Sequence, residues 1–107
     1  MAEYNGTRFR KQDIELAGFA RALSHPGRVA ILTALAEKEC WSSGEISALL
    51  PLSQSTVSQH IHKLVSAGLV IANAEGAQIM YSINRELFKT IYIKFPDLFA
   101  KVNLKDS

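Results

Sequence analysis

The sequence predicts a mainly α domain carrying one small β-hairpin, and three observations lead there. Between Ser43 and Ala67 two short helical patterns are separated by Pro51-Leu52-Ser53. Directly after Gly68 the hydrophobic pattern shortens its period, and residues 69–83 read as two strands around a glycine. The whole chain, 107 residues with 48% hydrophobic and 21% charged side chains, fits a single globular domain. A tight helix pair followed by a hairpin is a winged helix-turn-helix, in which the second helix of the pair enters the DNA major groove.

Taken in order, residues 1–10 contain Asn5-Gly6 and no apolar period, which predicts a mobile arm. Its Arg8 and Arg10, with Lys11, could touch DNA, but a solvated terminus is the simpler reading. Over residues 11–23, Ile14, Leu16, Ala17, Phe19, Ala20 and Leu23 give an amphipathic helix with a broad apolar stripe, suited to burial on two sides. Ser24-His25-Pro26-Gly27 breaks it, with His25 as a turn or capping residue and Pro26 at the first position of the next helix. Val29, Ile31, Leu32, Leu35 and Ala36 carry that helix to about Glu37. Arg28 sits in its first turn, against the macrodipole, so an ion pair with a carboxylate, or less simply a phosphate contact, is expected to offset the cost.

Residues 38–42 form a connector in which Trp41 anchors the helices and Cys40 is a small buried or half-buried residue rather than a reactive thiol. In the first helix of the pair, Ile46, Leu49 and Leu50 share one face. Pro51 disfavours helix at Leu50, and Ser53 is a good cap for the second helix. That helix runs to about Ala67, where Gly68 suits the left-handed position past its end. At about 100° per residue, Val57, Ile61, Leu64 and Val65 gather on its inner face with His60 beside them. The outer side carries Ser55, Ser58, Gln59, His62 and Ser66, flanked by Thr56 and Lys63. Ser and Thr are weak helix formers, so a plain solvated face would favour Glu, Lys and Ala there. Small polar side chains allow close approach to base edges and can both donate and accept.

The hairpin is expected to pair Leu69-Val70-Ile71 with Ile79-Met80-Tyr81-Ser82-Ile83 across a connector containing Gly76. Asn84 caps the last helix, whose Leu87, Phe88, Ile91, Tyr92 and Phe95 make an apolar face; Pro96 is expected to end it, with a further turn or two to Val102. This segment either closes the monomer core or, the preferred reading, meets a second copy together with the first helix.

The charge pattern is uneven. The net charge is a mild +2, and from Trp41 to Ser82 the only Lys or Arg is Lys63, so a DNA complex must draw its phosphate neutralisation from the flanks or a second subunit. No apolar run is long enough to span a bilayer and the N-terminus lacks the apolar core of a signal peptide, which predicts a cytoplasmic protein with no membrane partner. The single cysteine excludes an intrachain disulfide and a C-x-x-C site. No nucleophile, paired-carboxylate or phosphate-loop motif assembles, and no enzyme is expected.

ALSHPGRVAILTAL, LSQSTVSQHIHKLVSAGLV and EGAQIMYSI resemble, in that order, the ArsR family of bacterial winged-helix repressors, over roughly Phe19 to Ile83. The resemblance implies a homodimer built on the first and last helices (11–23 and 84–102), a helix-turn-helix at 43–67 and a wing at 69–83, reading an inverted repeat in double-stranded DNA. By position it implies DNA contacts from Gln54, Ser55, Thr56, Ser58, Gln59 and His60, with His62 and Lys63 beside them. Many such regulators hold a metal through a Cys-x-Cys pair at the start of the first helix of the pair. Those positions are Ser42 and Gly44 here, and Cys40 is out of register. A second family site uses His and acidic residues on the last helix, and NRELFKTIYIKF has no His. His60 and His62, two apart on one helix, point in different directions. No metal and no cofactor are therefore expected, and the sequence names no effector. The rival reading is a winged-helix protein-interaction module with weak or no DNA binding, suggested by the uncharged wing tip and the lone Lys63.

Overall fold

The computed structural model describes residues 8–102, so most of the expected 1–10 arm lies outside the described residues. The elements follow in the order α1 (Lys11–Ala22), α2 (Pro26–Leu35), β1 (Trp41–Ser42), α3 (Ser43–Ala48), α4 (Gln54–Ser66), β2 (Val70–Glu75), β3 (Gln78–Ile83) and α5 (Arg85–Val102). The three strands form one antiparallel sheet in the order β1-β3-β2. Ile31 and Leu35 of α2, Ile46 of α3, Val57 and Leu64 of α4 and Leu69 are almost wholly shielded from water, and they make one core in which α4 is held between α2, α3 and the sheet.

Capping sets where the helices start and stop. Ser42 begins α3 with a reciprocal box: its Oγ accepts from Glu45 N–H at 3.2 Å and its own N–H donates to Glu45 Oε1 at 2.9 Å. Ser53 Oγ accepts from Thr56 N–H at the start of α4. At the far end of α4, Gly68 lies at φ +82°. Its N–H reaches Val65 O at 2.9 Å and the next N–H, of Leu69, reaches Leu64 O at 3.0 Å, a Schellman closure sealed by the contact of two buried leucines. Asn84 then fastens this end to α5. Its Nδ2 donates to Gly68 O at 2.8 Å, its N–H donates to Leu69 O at 2.9 Å, and its Oδ1 accepts from Leu87 N–H at 3.2 Å.

Four expectations need correction. Arg28 makes neither an ion pair nor an outward-facing contact: its Nε donates to Ala22 O at 2.7 Å and its Nη2 to Arg21 O and Ser24 Oγ. The guanidinium thus closes the carbonyl end of α1, where positive charge is favoured. The wing is longer than the alternation suggests. Asn73, Ala74 and Glu75 are strand, paired with Met80, Ile79 and Gln78, and only Gly76 and Ala77 turn the chain. Their weak β preference yields to a full ladder with β3. Trp41 and Ser42, read as connector, add a short third strand against Tyr81 and Met80.

Lastly, α5 does not stop at Pro96 but continues through it to Val102. Pro96 and Tyr92, the residue whose carbonyl loses its helical partner, are both exposed. Phe19 meets Phe95 edge-on at 6.2 Å and Phe95 stacks on Phe99 at 5.6 Å, holding the turns on both sides of the proline.

The Gly68 conformation gives a direct test of how α4 is terminated. Gly68→Ala is expected to lower stability by about 1–2 kcal/mol, since a side chain raises the cost of the left-handed region. Urea denaturation should show a lower midpoint with an unchanged slope; an unaltered midpoint would remove the closure from the account of the fold.

Candidate nucleic-acid interface

Burial divides α4 into two sides. Val57, Ile61 and Leu64 are buried, and Gln54, Ser55, Ser58, Gln59, His62 and Lys63 are exposed. The exposed set lies on one continuous surface because residues three and four apart share a helical face. Thr56 is half-buried at its edge. Ser53 Oγ donates to Thr56 Oγ1 at 2.8 Å and lies 3.3 Å from Ser55 Oγ, so three hydroxyls cluster at the start of a 13-residue helix. Free N–H groups and the positive end of the dipole make such a start receptive to a phosphate oxygen.

His60 is a correction to the set read from the sequence. It is 7% exposed and faces inward, where its ring lies 4.4 Å from that of His25, centroid to centroid. The His25 ring is itself fixed, since Nδ1 accepts from Gly27 N–H at 2.9 Å to cap α2. Gly27 is the spacer: a Cβ there would stand 3.1 Å from both His25 Nδ1 and His60 Nε2. Nε2 of His60 is buried and meets no partner among the described residues. Desolvation lowers the His60 pKa, with the charges of His25, Arg28 and Lys63 adding to it. The two histidines are far apart in sequence, and the inward reading was available only from the position of His60 beside the apolar face.

Ser42 and Gly44, the positions where the resemblance led to an expectation about cysteines, are occupied with other work. The Ser42 hydroxyl is committed to the cap of α3, and Gly44 is exposed. Its cap partner Glu45 is held below the usual carboxylate range by the Ser42 N–H first and by Lys38 second, whose Nζ is 2.9 Å away. Among the described residues no group of three His, Cys, Asp or Glu side chains is placed to hold a metal ion.

The flanking cations are largely paired with other groups. Arg10 bonds Asp13, Lys38 bonds Glu45 and also lies 4.4 Å over the Trp41 ring, and Lys94 bonds Glu15. On the wing, Ile71 and Ile79 are exposed and the tip residues carry no Lys or Arg. No helix among the described residues is long and apolar enough to cross a membrane.

Comparison with known proteins places this surface in context. A helix-turn-helix domain family matches residues 23–71. The HTH-type transcriptional regulator YgaV of Escherichia coli K12 is 31% identical over 86 residues, covering 80% of this chain and 87% of that protein. The HTH-type transcriptional regulator CmtR of Mycobacterium tuberculosis is 43% identical over 68 residues, 64% of this chain; the match spans 57% of CmtR's own length. Among solved structures, an ArsR-like transcriptional regulator from Rhodococcus sp. RHA1 superposes with a TM-score of 0.73 at 26% identity, covering 86% of each chain.

The buried histidine predicts a pH dependence of stability. The unfolded imidazole titrates near 6.5 and the folded one lower, so between those values the unfolded chain binds more protons. Stability should therefore be full above about pH 6.5, decline as the pH falls through that interval, and level off below the folded pKa. His60→Leu should flatten this part of the urea-midpoint profile; an identical decline in the variant would assign it elsewhere.

Proposed function

Because the chain belongs to the ArsR family of winged helix-turn-helix transcriptional regulators, we propose that it is a dimeric repressor that reads an inverted repeat in double-stranded DNA through the outer face of α4, with no metal cofactor. The observation that carries this reading is the division of α4. Its inner face is locked in the core while Ser55, Ser58, Gln59 and His62 stand outward with almost no charge, the chemistry that meets base edges. Phosphate contacts fall to the hydroxyl cluster and free amides at the start of α4, since the nearby lysines and arginines are few or already paired. His60 acts from behind the surface by fixing the roll of α4 against α2, and is no longer among the contacts.

Dimerisation is supported by α5. It carries an apolar face yet buries no residue completely, and Tyr92 and Ile93 are 79% and 64% exposed beside exposed Leu98, Phe99 and Val102. An apolar strip of that length on a soluble regulator calls for a second copy, which would also set two α4 helices at the spacing of a repeat. Regulation without a metal is supported by the residues at the two cysteine positions, a serine committed to a cap and a glycine with no donor side chain.

A second reading, a protein-interaction module, draws on exposed Ile71 and Ile79 and the uncharged wing tip. A gel shift separates the two. The chain should retard DNA from its own promoter region at low salt, with a shallow salt dependence; no retardation of any fragment of that region favours the second reading.

Two variants test the proposal further. Gln59→Ala should weaken specific binding by about 1–3 kcal/mol while leaving random DNA nearly unaffected. Lys63→Ala should instead weaken both and reduce the salt slope by about one. Equal loss on both DNAs for Gln59→Ala would give that side chain a backbone role. Ile93→Glu should convert the dimer to a monomer in sedimentation and abolish retardation of the repeat; a variant that stays dimeric moves the interface off α5.

A further inference from the structure

Between α1, α2, β3 and α5 lies an open cavity of about 570 Å³, within the size range of small-molecule sites. Its walls are apolar and aromatic, with Phe19 and Leu23 on one side, Leu32 beneath and Phe88 and Tyr92 opposite. The polar exceptions are few. Thr33 lines it, but its hydroxyl already donates to Val29 O at 2.9 Å. Arg85 and Lys89 line it too, one turn apart on α5 and so on the same face, and no Asp or Glu is among the lining residues.

Both cations are exposed, and neither pairs with a carboxylate in the described structure. Arg85 is the first residue of α5, where positive charge opposes the macrodipole, and the protein bond that an atom of its guanidinium makes, Nη2 to Ala36 O, is long at 3.4 Å. Lys89 has no partner in the described structure. The polar groups left to the cavity are the Lys89 ammonium, the weakly bonded Arg85 guanidinium and the Tyr92 hydroxyl, all able to donate, and they match one ligand chemistry: an apolar body ending in an anion. We infer that this cavity binds an amphipathic carboxylate, its hydrocarbon against Phe19, Leu32 and Phe88 and its carboxylate between Arg85 and Lys89. A carboxylate there replaces the long Arg85 bond by charge-assisted ones and relieves the opposed dipole at the start of α5. The site is separate from the DNA-facing side of α4, so its occupancy can be read without DNA.

Isothermal titration of the full chain with decanoate, decanol and decyltrimethylammonium tests this. Decanoate should saturate one site per chain, decanol should bind at least about tenfold more weakly, and the cationic amphiphile should give no saturable heat. Arg85→Gln combined with Lys89→Gln should bring decanoate down to the affinity of decanol. Val29→Phe, which adds bulk to the cavity wall on α2 and replaces neither cation, should abolish binding of both, and it keeps the test decisive if the double variant folds poorly. Equal affinity for decanoate and decanol would overturn the inference by showing a greasy surface without charge recognition. So would the lack of saturable binding to the unaltered chain, the result expected if a second copy seats its own side chains in the cavity.

Discussion

Everything in this protein depends on the burial of one side of α4. Val57, Ile61 and Leu64 are shielded by Ile31 and Leu35 of α2, Ile46 of α3 and Leu69 at the start of the wing. Full burial of an aliphatic side chain is worth about 1.5–3 kcal/mol, so turning even one of them outward by rolling the helix costs a sizeable share of a small domain's stability. The outer face is therefore presented at one fixed rotation. Helix ends add the remaining constraints. Ser42 and Ser53 fix where α3 and α4 begin, and the left-handed Gly68 fixes where α4 stops.

His25 and His60 bring polar side chains into the same contact between α2 and α4, with the two imidazole rings meeting over Gly27. The arrangement is tight, and the neutral imidazole is the form that low dielectric favours. A histidine in this place limits rotation of α4 through shape and through a tilted contact with a ring that is already held by a hydrogen bond. Arg28, in the same turn of α2, closes the end of α1. One short segment, Ser24 to Arg28, thus joins three helices.

Most of the architecture was legible in the chain because it is written in local signals. Proline at 26 and 51, serine at 53, glycine at 68 and asparagine at 84 mark helix boundaries by their own backbone chemistry, and the structure sets the helices between them, while the cap at Ser42 was passed over as connector. What could not be read depends on residues distant in sequence. Strand character at Asn73-Ala74-Glu75 comes from pairing with β3, and the strand at Trp41-Ser42 from pairing with Tyr81 and Met80. Pro96 gives a correct local signal that aromatic contacts across the turn outweigh. On α4, the outward exposure of the serines and Gln59 followed from helical periodicity alone. His60 was misplaced because it borders the inner face, and only its neighbour from α2 decides which way it turns.

Asn84 carries a consequence of its own. Three bonds through one residue tie the last turn of α4, the first residue of the wing approach and the first turn of α5 into a single joint. A flexible linker would leave the direction of the long final helix independent of α4. Here the two helix ends share one set of bonds, so the direction in which α5 leaves the wing is fixed to the point at which α4 stops.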